Sequence, residues 1–395
     1  MEEEKGKQVL IREYDEESDL KMVMELEKSC KSKTIASPSN EGISIFSSMM
    51  GDDPLCRIRL YPLHVLLIAE LQSSGEIVGI VRGCIKYVEI GLEGRRRVPF
   101  GSILGLRVSP AHRRKGVGLK LVESIEEWMK KNGASYTFAA TEENNAASTN
   151  LFTLRRNYIK LSSLSIFVQR LNPPVNDLPE GINFKKLSTD QAIYFYQTHI
   201  EAKDMYPTDI DVILKEKLCL GTWLCNFKED NVKINDKNSR ITGDSWAIFS
   251  IWNTCEAYKL QVKRSNYHSS PINHAIKDDQ ENPKKMTCDS IEKPFGFLFL
   301  FGLLGEGERL GELVKSLWRF ALKMAENVKD CKAIMTELGF SDPLMQHVPN
   351  EVSTACIEDL WYAKKIEKCS NEDDNTDDLV VKREVGNVFV DPRDF

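Results

Sequence analysis

The sequence predicts an α/β chain on a mixed sheet, in which one strand–loop–helix–strand unit occurs twice. Three observations predict it. An apolar strand at residues 100–108 stops at Ser109-Pro110, and the chain then passes through Arg113-Arg114-Lys115-Gly116-Val117-Gly118. An amphipathic helix begins inside that loop, with Leu119, Leu121, Val122, Ile125 and Trp128 at helical spacing. Far downstream, a near-continuous apolar run at 297–304 leads into Gly305-Glu306-Gly307-Glu308-Arg309-Leu310-Gly311. A second amphipathic helix follows (Leu313, Val314, Leu317, Phe320, Ala321, Met324), then a strand at Ala333-Ile334-Met335.

The other elements follow in order. Residues 9–14 alternate as a first strand, and 15–30 carry a helical apolar stripe at Leu20, Val23, Met24 and Leu26. Residues 64–69 and 77–82 read as two strands turned at Gly75. After the helix that opens at the glycine loop comes a strand at 135–140. A second helix is opened by Asn144 or Asn145 as its cap and continues through Leu151 and Phe152. Residues 246–252 and 257–262 are expected as a hairpin ahead of the second unit. A chain of 395 residues exceeds a typical single core. The expected division is a domain at 1–171, a proline-rich linker at 172–180, a second domain at 181–368 and an acidic tail at 369–395. Polar stretches at 228–243 and 265–293 are expected as surface loops.

The glycine loop is where chemistry is expected. Glycine lets a ligand approach the backbone, free N–H groups at a helix start attract anions, and the basic side chains add charge-assisted contacts. The segment is therefore suited to a pyrophosphate. A Walker loop would need Gly-Lys-Ser/Thr, but Gly118 is followed by Leu119 and Lys120; a dinucleotide loop would need a third glycine where Leu121 stands.

Arg113-x-x-Gly116-x-Gly118 in this context resembles the acyl-CoA signature of the GNAT acetyltransferases. Asn145, Ser148, Leu151 and Phe152, then Asn157-Tyr158, follow the layout of that family's next helix. The resemblance covers about residues 8–170 and implies the GNAT fold there, and the recurrence of the unit downstream reads as a second, degenerate GNAT-like domain without the cofactor. It implies that acetyl-CoA is the cosubstrate. Leu106, Arg107 and Val108 would line its pantetheine arm, with a backbone N–H there holding the thioester oxygen. Arg113, Arg114, Lys115, Gly116, Val117 and Gly118 would cradle the pyrophosphate, and Asn145 would touch the arm. An amine would attack the thioester directly. Phe152 takes the place of the tyrosine that in the family commonly protonates the departing thiolate, and Asn157 takes that of a glycine.

Losing that hydroxyl is tolerable, since a thiol of pKa ~8.5 leaves as thiolate near pH 7 at roughly 2 kcal/mol. A lysine acceptor is harder to prepare: with a pKa of ~10.4, its deprotonation at pH 7 costs roughly 4.6 kcal/mol. The strand before the loop holds no carboxylate, so the candidates for a base are Glu70 on an earlier strand and Glu142 after the next one. His112 in the loop and water-mediated proton removal are the alternatives. No metal site is expected.

In the second unit Glu306 and Glu308 stand where the first has arginines, and they would repel a pyrophosphate by several kcal/mol at close range. Almost end to end, the chain resembles the plant HOOKLESS-type N-acetyltransferases. The residues that carry this are 104–110, 113–118 and Leu151-Phe152-Thr153. Ser245-Trp246-Ala247, Glu358-Asp359-Leu360-Trp361 and the closing 389–395 match as well. That resemblance implies a nuclear or cytoplasmic protein of growth regulation. Its acceptor would be a protein or peptide amine, a histone among the candidates. An alternative is an acyl-CoA-binding regulator without turnover.

Composition agrees with that setting. The ten cysteines show no Cys-x-x-Cys pair and read as reduced core residues. The charge of 53 minus 59, or −6, argues against direct nucleic-acid binding, with Arg95-Arg96-Arg97 a local exception read as a solvated turn. No stretch suggests a signal peptide or a membrane span.

Overall fold

Asp15 accepts a hydrogen bond from the Ser18 amide at 2.9 Å, so the first helix starts on a side-chain cap. The computed structural model describes residues 8–31, 43–49, 53–91, 96–171, 178–230, 233–234, 241–242, 244–264, 294–349, 354–366 and 384–395. Its first half contains β1 (Val9–Glu13), α1 (Glu16–Lys31), β2 (Ile43–Met49), β3 (Leu63–Leu71), β4 (Ile77–Ile90) and β5 (Arg96–Val108). Then come α2 (Val117–Lys131), β6 (Tyr136–Glu142), α3 (Ala146–Asn150) and β7 (Ile159–Arg170). The second half begins with β8 (Ile182–Leu187), α4 (Thr189–His199), β9 (Met205–Pro207), α5 (Ile210–Lys215) and β10 (Cys219–Phe227). It continues with β11 (Lys233–Ile234), β12 (Ile241–Thr242), β13 (Trp246–Asn253) and β14 (Tyr258–Arg264). It ends with β15 (Gly296–Glu306), α6 (Leu310–Glu326), β16 (Cys331–Gly339) and β17 (Thr354–Lys365).

One sheet runs through both halves in the order β1-β3-β4-β5-β6-β17-β7-β16-β15-β13-β10-β8, with β9 added beside β4. Read from either edge, it repeats the same sequence of roles. Two antiparallel strands lead to a third, and a parallel pair follows (β5–β6 in one half, β15–β16 in the other). At the centre the last strands are exchanged: β17 pairs with β6, and β7 pairs with β16. The match extends to irregularities. The β4–β5 ladder slips between Ile80 and Arg82, and the β13–β15 ladder slips between Ile248 and Ser250. Beside these slips Gly105 (φ 57°) and Gly302 (φ 63°) take the left-handed conformation that suits glycine.

Helices α2 and α6 cover one face. Leu121, Val122 and Ile125 of α2 pack on Val65, Leu67, Val81 and Ile103, while Leu313, Leu317 and Trp318 of α6 pack on Phe249, Leu298 and Leu300. The opposite face holds the largest core cluster, where α4 and residues 384–395 cover β7 and β15 to β17. Two sequence expectations are met locally: Gly75 turns the β3–β4 hairpin at φ 71°, and Asn157 holds φ 60° in place of a glycine.

Two others are corrected. Residues 246–252 and 257–262 form no hairpin, because a tight turn at Thr254–Glu256 sends β14 away to pair with β2. The end of the chain is no tail. Val388, Phe389, Val390, Asp391 and Arg393 are buried, with Phe389 edge-on to Tyr196 and Phe301. Asp204 accepts from the amides of Gly386 and Asn387, Arg393 forks onto Asp209 at 2.8 and 2.9 Å, and Lys86 meets Asp391 and Asp394. The sequence shows acids at 372–378 ahead of this plug, and they lie outside the described residues, as do most of the 172–180 linker and the 265–293 stretch. The plug is a structural part of the core. Phe389→Ala is therefore expected to cost about 3–5 kcal/mol of unfolding free energy in urea titrations, where an exposed aromatic would cost almost nothing.

Candidate functional site

The parallel ladder between β5 and β6 joins Phe100 to Tyr136 and ends at Ile103 and Ala139. Beyond it, Leu104, Arg107 and Val108 pair only with β4, Gly105 and Leu106 lie in the slip of that ladder, and Thr141 and Glu142 pair with Leu360 and Asp359 of β17. The slip at Gly105 bends β5 one way, while β17 holds the far edge of β6. Past Ile103 and Ala139 the two strands share no ladder, which leaves a gap beside the backbone of Leu106, Arg107 and Val108.

At the mouth of the gap lies the basic loop. Arg113, Arg114, Lys115 and Gly116 are exposed, with Arg114 at φ 62° and Gly116 at φ 84°, and Arg113 Nε donates to the Val108 carbonyl at 3.2 Å. No side chain caps α2, so its first amides are turned to the loop without a protein acceptor from the cap residue. A Cβ on Gly116 would meet nothing within 4 Å, and one on Gly118 would make only ordinary contacts, at 3.6 Å to Val108 and 3.8 Å to Leu151. Protein packing therefore does not demand glycine at 118. Close approach by a ligand would.

The second loop is the opposite case. A Cβ on Gly307 would lie 2.2 Å from the Asp244 carbonyl, and one on Gly305 2.4 Å from Leu310. Arg309 there is taken up by Glu229 (2.6 Å) and Glu312 (3.0 Å) and lies over the Phe227 ring. Its glycines serve tight protein packing, and its one arginine is neutralised. The anion-holding arrangement belongs to the first loop.

On the face of the sheet away from α2, Ala140 of β6 is exposed although it lies in the interior of the sheet. Strand alternation sets Phe138, Ala140 and Glu142 on that face, and the register sets Trp361 beside Ala140 and Asp359 beside Glu142. Asp359 is buried and accepts from Trp361 Nε1 at 3.1 Å. Glu337 of β16 stands on the far side of β7 on the same face, opposite Ile166, close enough for the Asp359 charge to act on it. Burial pushes the Asp359 carboxyl up to about 7, against the Trp361 hydrogen bond, which favours its charged form. Burial also holds Glu337 far above the usual carboxylate range, helped by the Asp359 charge.

Glu142 is half-buried at the edge of the gap, next to that pair. Glu70 is elsewhere: it lies on β3, two strands from β5, and its Oε2 accepts from Arg12 Nε at 2.7 Å. Asn145 uses Oδ1 to cap α3 through the Ser148 amide, at 3.2 Å. Phe152 lies in the wide turn that follows α3, buried and edge-on to Tyr158 at 5.1 Å, so this position presents a ring without a hydroxyl. His112, in the short turn before the basic loop, is half-buried. The structure thus sets Glu142 at the end of β6, the strand that borders the gap, and leaves Glu70 two strands away from β5. Sequence reading missed Asp359 and Glu337 as site residues. The available signal was an acid within apolar strand text, Asp359-Leu360-Trp361, although the partner strand that gives it meaning is more than 200 residues away.

The chain belongs to the GNAT acetyltransferase family, whose model, "Acetyltransferase (GNAT) family", matches residues 24–158. It is 33% identical to "Probable N-acetyltransferase HLS1" of Arabidopsis thaliana over 98% of this chain and 100% of that one. It is 31% identical to "Probable N-acetyltransferase HLS1-like" of the same plant, over 98% and 99% of the two chains. A rice relative, "Acetyl transferase GW6a" of Oryza sativa subsp. japonica, is 29% identical over 98% and 97%. Among solved structures, Saccharomyces cerevisiae N-myristoyltransferase with bound myristoyl-CoA aligns with TM-score 0.55, covering 97% of this chain and 85% of that one at 12% identity. That likeness concerns the fold alone.

The Asp359 carboxyl carries a stability signature. Its folded pKa, about 7, lies above the unfolded value of ~3.9, so the folded state holds the extra proton and stability falls as pH rises between them. Asp359→Asn removes that penalty. Its unfolding free energy relative to wild type should be higher at pH 8 than at pH 5, by about 2.6 kcal/mol at ~1.36 kcal/mol per unit over the roughly two units between pH 5 and the folded pKa. Paired urea titrations at the two pH values measure it, and a pH-independent difference would contradict the burial argument.

Proposed function

We propose that this chain transfers the acetyl group of acetyl-CoA directly to an amine, with the gap between β5 and β6 as the site of transfer. The observation that carries the proposal is the pairing of a strand edge at 104–108 that has no ladder to β6 with a basic loop whose Gly116 faces open space and whose Gly118 meets only ordinary contacts. In this reading Arg113, Arg114, Lys115 and the α2 amides hold the pyrophosphate, with Gly116 and Gly118 giving it access. Leu106, Arg107 and Val108 present backbone to the pantetheine arm, and Asn145 borders it. An amide at the end of β5 steadies the thioester oxygen as negative charge develops. Phe152 offers no acid, so the thiolate leaves with a proton from solvent or from the attacking nitrogen.

The acceptor we infer is a protein amine, a lysine or an N-terminus, with histones among the substrates and a role in growth regulation in the nucleus or cytoplasm. The second half, by the closure of its own loop, contributes walls and side chains without a second cofactor. Phe152 also favours a second reading, a regulator that binds acyl-CoA without turnover; both readings need the same cofactor site.

Titration calorimetry of the full chain with acetyl-CoA tests the shared step, with Gly116→Asp as the control. A carboxylate there would oppose a phosphate from a strained left-handed position. Two unit charges about 4 Å apart repel by about 4 kcal/mol at an effective dielectric near 20, so affinity should fall by at least about 100-fold. Wild-type protein that is folded and binds no acetyl-CoA would refute both readings.

A further inference from the structure

On the reading just proposed, the acceptor has to lose a proton before it attacks, and the conventional strand before the loop offers no carboxylate. We propose that Asp359, with Glu337 beside it, is the group that binds the acceptor ammonium and takes its proton, the acceptor entering over Ala140.

Position argues for it first. Ala140 is the one residue of β6 whose side chain is exposed, and it borders the gap just where the β5–β6 ladder has ended. An acceptor reaching the gap from the face away from α2 must cross this spot. Its immediate neighbours across the β6–β17 ladder are Trp361, opposite Ala140, and Asp359, opposite Glu142, all on the same face. A cation there would have an aromatic ring on one side and carboxylates on the other.

The second observation is an unsatisfied atom. Glu337 is only 6% exposed, and its Oε1 has no hydrogen-bond partner among the described residues. An orphaned buried carboxyl oxygen is costly, and a donor from outside the chain, such as an ammonium N–H, would satisfy it. The groups facing the pair come from several elements. Glu142 reaches it from β6, Trp361 lies on its own strand, Asp394 acts on Glu337 from the C-terminal plug, and β7 between them contributes the apolar Leu164 and Ile166. Lys86 and Arg393 are already engaged by Asp391, and Lys86 also by Asp394, so the cations of the plug are matched by its own acids.

The proton balance is simple. Asp359 as carboxylate accepts one proton from the ammonium, and the neutral nitrogen forms the C–N bond at the thioester carbon. The C–S bond breaks, the nitrogen's second proton goes to the sulfur directly or through water, and Asp359 returns its own proton to solvent past Ala140. Glu337 stays protonated throughout and favours the Asp359 carboxylate, which makes it a positioning residue. A base poised near neutral pH is matched to this task.

The experiment uses the full chain, acetyl-CoA and two small amines as probes: methylamine, which is protonated at pH 7, and methoxyamine, which is not. CoA release is followed by thiol titration from pH 6 to 9, with acetyl-CoA affinity measured in parallel. Asp359→Asn should bind acetyl-CoA as wild type does, lose methylamine-dependent release by about 100-fold, and keep methoxyamine-dependent release. Glu337→Gln, a neutral donor, should leave the midpoint of the wild-type methylamine profile in place. Glu337→Ala should raise it, since the neutral Glu337 beside it favours the Asp359 carboxylate. Equal loss with both amines, or no loss with either, would overturn the assignment. So would wild-type protein that binds acetyl-CoA yet releases no CoA to methylamine at any pH. Wild type that fails to bind acetyl-CoA instead removes the underlying reading, and the base with it.

Discussion

The position of β17 between β6 and β7 is the constraint on which the rest depends. A strand from near the end of the chain completes the centre of the sheet, so neither half closes its own sheet without the other. Because β17 occupies the far edge of β6, the last residues of β6 have a partner even where β5 turns away. The gap between β5 and β6 can therefore open without leaving the backbone of both strands orphaned, which in a buried sheet would cost as much as several lost hydrogen bonds. The same strand delivers Trp361 and Asp359 to the edge of that gap. Opening the cleft and furnishing it are one structural event.

The two halves show how little separates a ligand loop from a structural one. Both contain strand, glycine loop, helix and strand, and both carry a left-handed glycine at a slip in the preceding ladder. What differs is the surroundings of the loop glycines. Gly116 looks onto open space and is flanked by three exposed cations, whereas Gly305 and Gly307 are pressed against the start of β13 and Arg309 is held by two glutamates. An anion would gain several charge-assisted hydrogen bonds at the first and meet Glu306 and Glu308 at the second.

Sequence reading reached the elements around the first loop and the existence of a second unit, because both are encoded locally by apolar periodicity and glycine. It placed the gap through family resemblance, and the slip at Gly105 together with the end of the β5–β6 ladder supply the physical cause. It could not see the strand exchange, since pairing between residues 142 and 359 leaves no local signature. For that reason Asp359 stood only as part of a motif that matches the family, with no role in the site, and Glu70 was named beside Glu142. The buried ending was hidden in another way. Its charged residues look solvated in sequence, yet Asp391 and Arg393 are buried and Asp394 half-buried, because Lys86, Asp209 and Arg57 meet them from distant elements.

The Glu337–Asp359 pair is expensive to keep. Two carboxyls in one buried corner cannot both ionise without mutual repulsion, and each resists ionisation by burial alone. Apolar residues of similar volume would fit the surrounding Leu164, Ile166, Ile357 and Trp361 at no such cost, and replacement of buried charged groups in this manner is often stabilising. The plug's acids differ, for Asp391 is matched by Lys86 and Arg393 and Asp394 by Lys86, while Arg57 donates to the Asp394 main-chain carbonyl, and these contacts knit the two halves together. No cation of the chain is seen to meet Asp359 or Glu337 among the described residues. Fold stability alone gives no reason for two such acids beside the one opening in β6, whereas a cationic acceptor arriving there supplies the missing partner and gives the Asp359 proton a use.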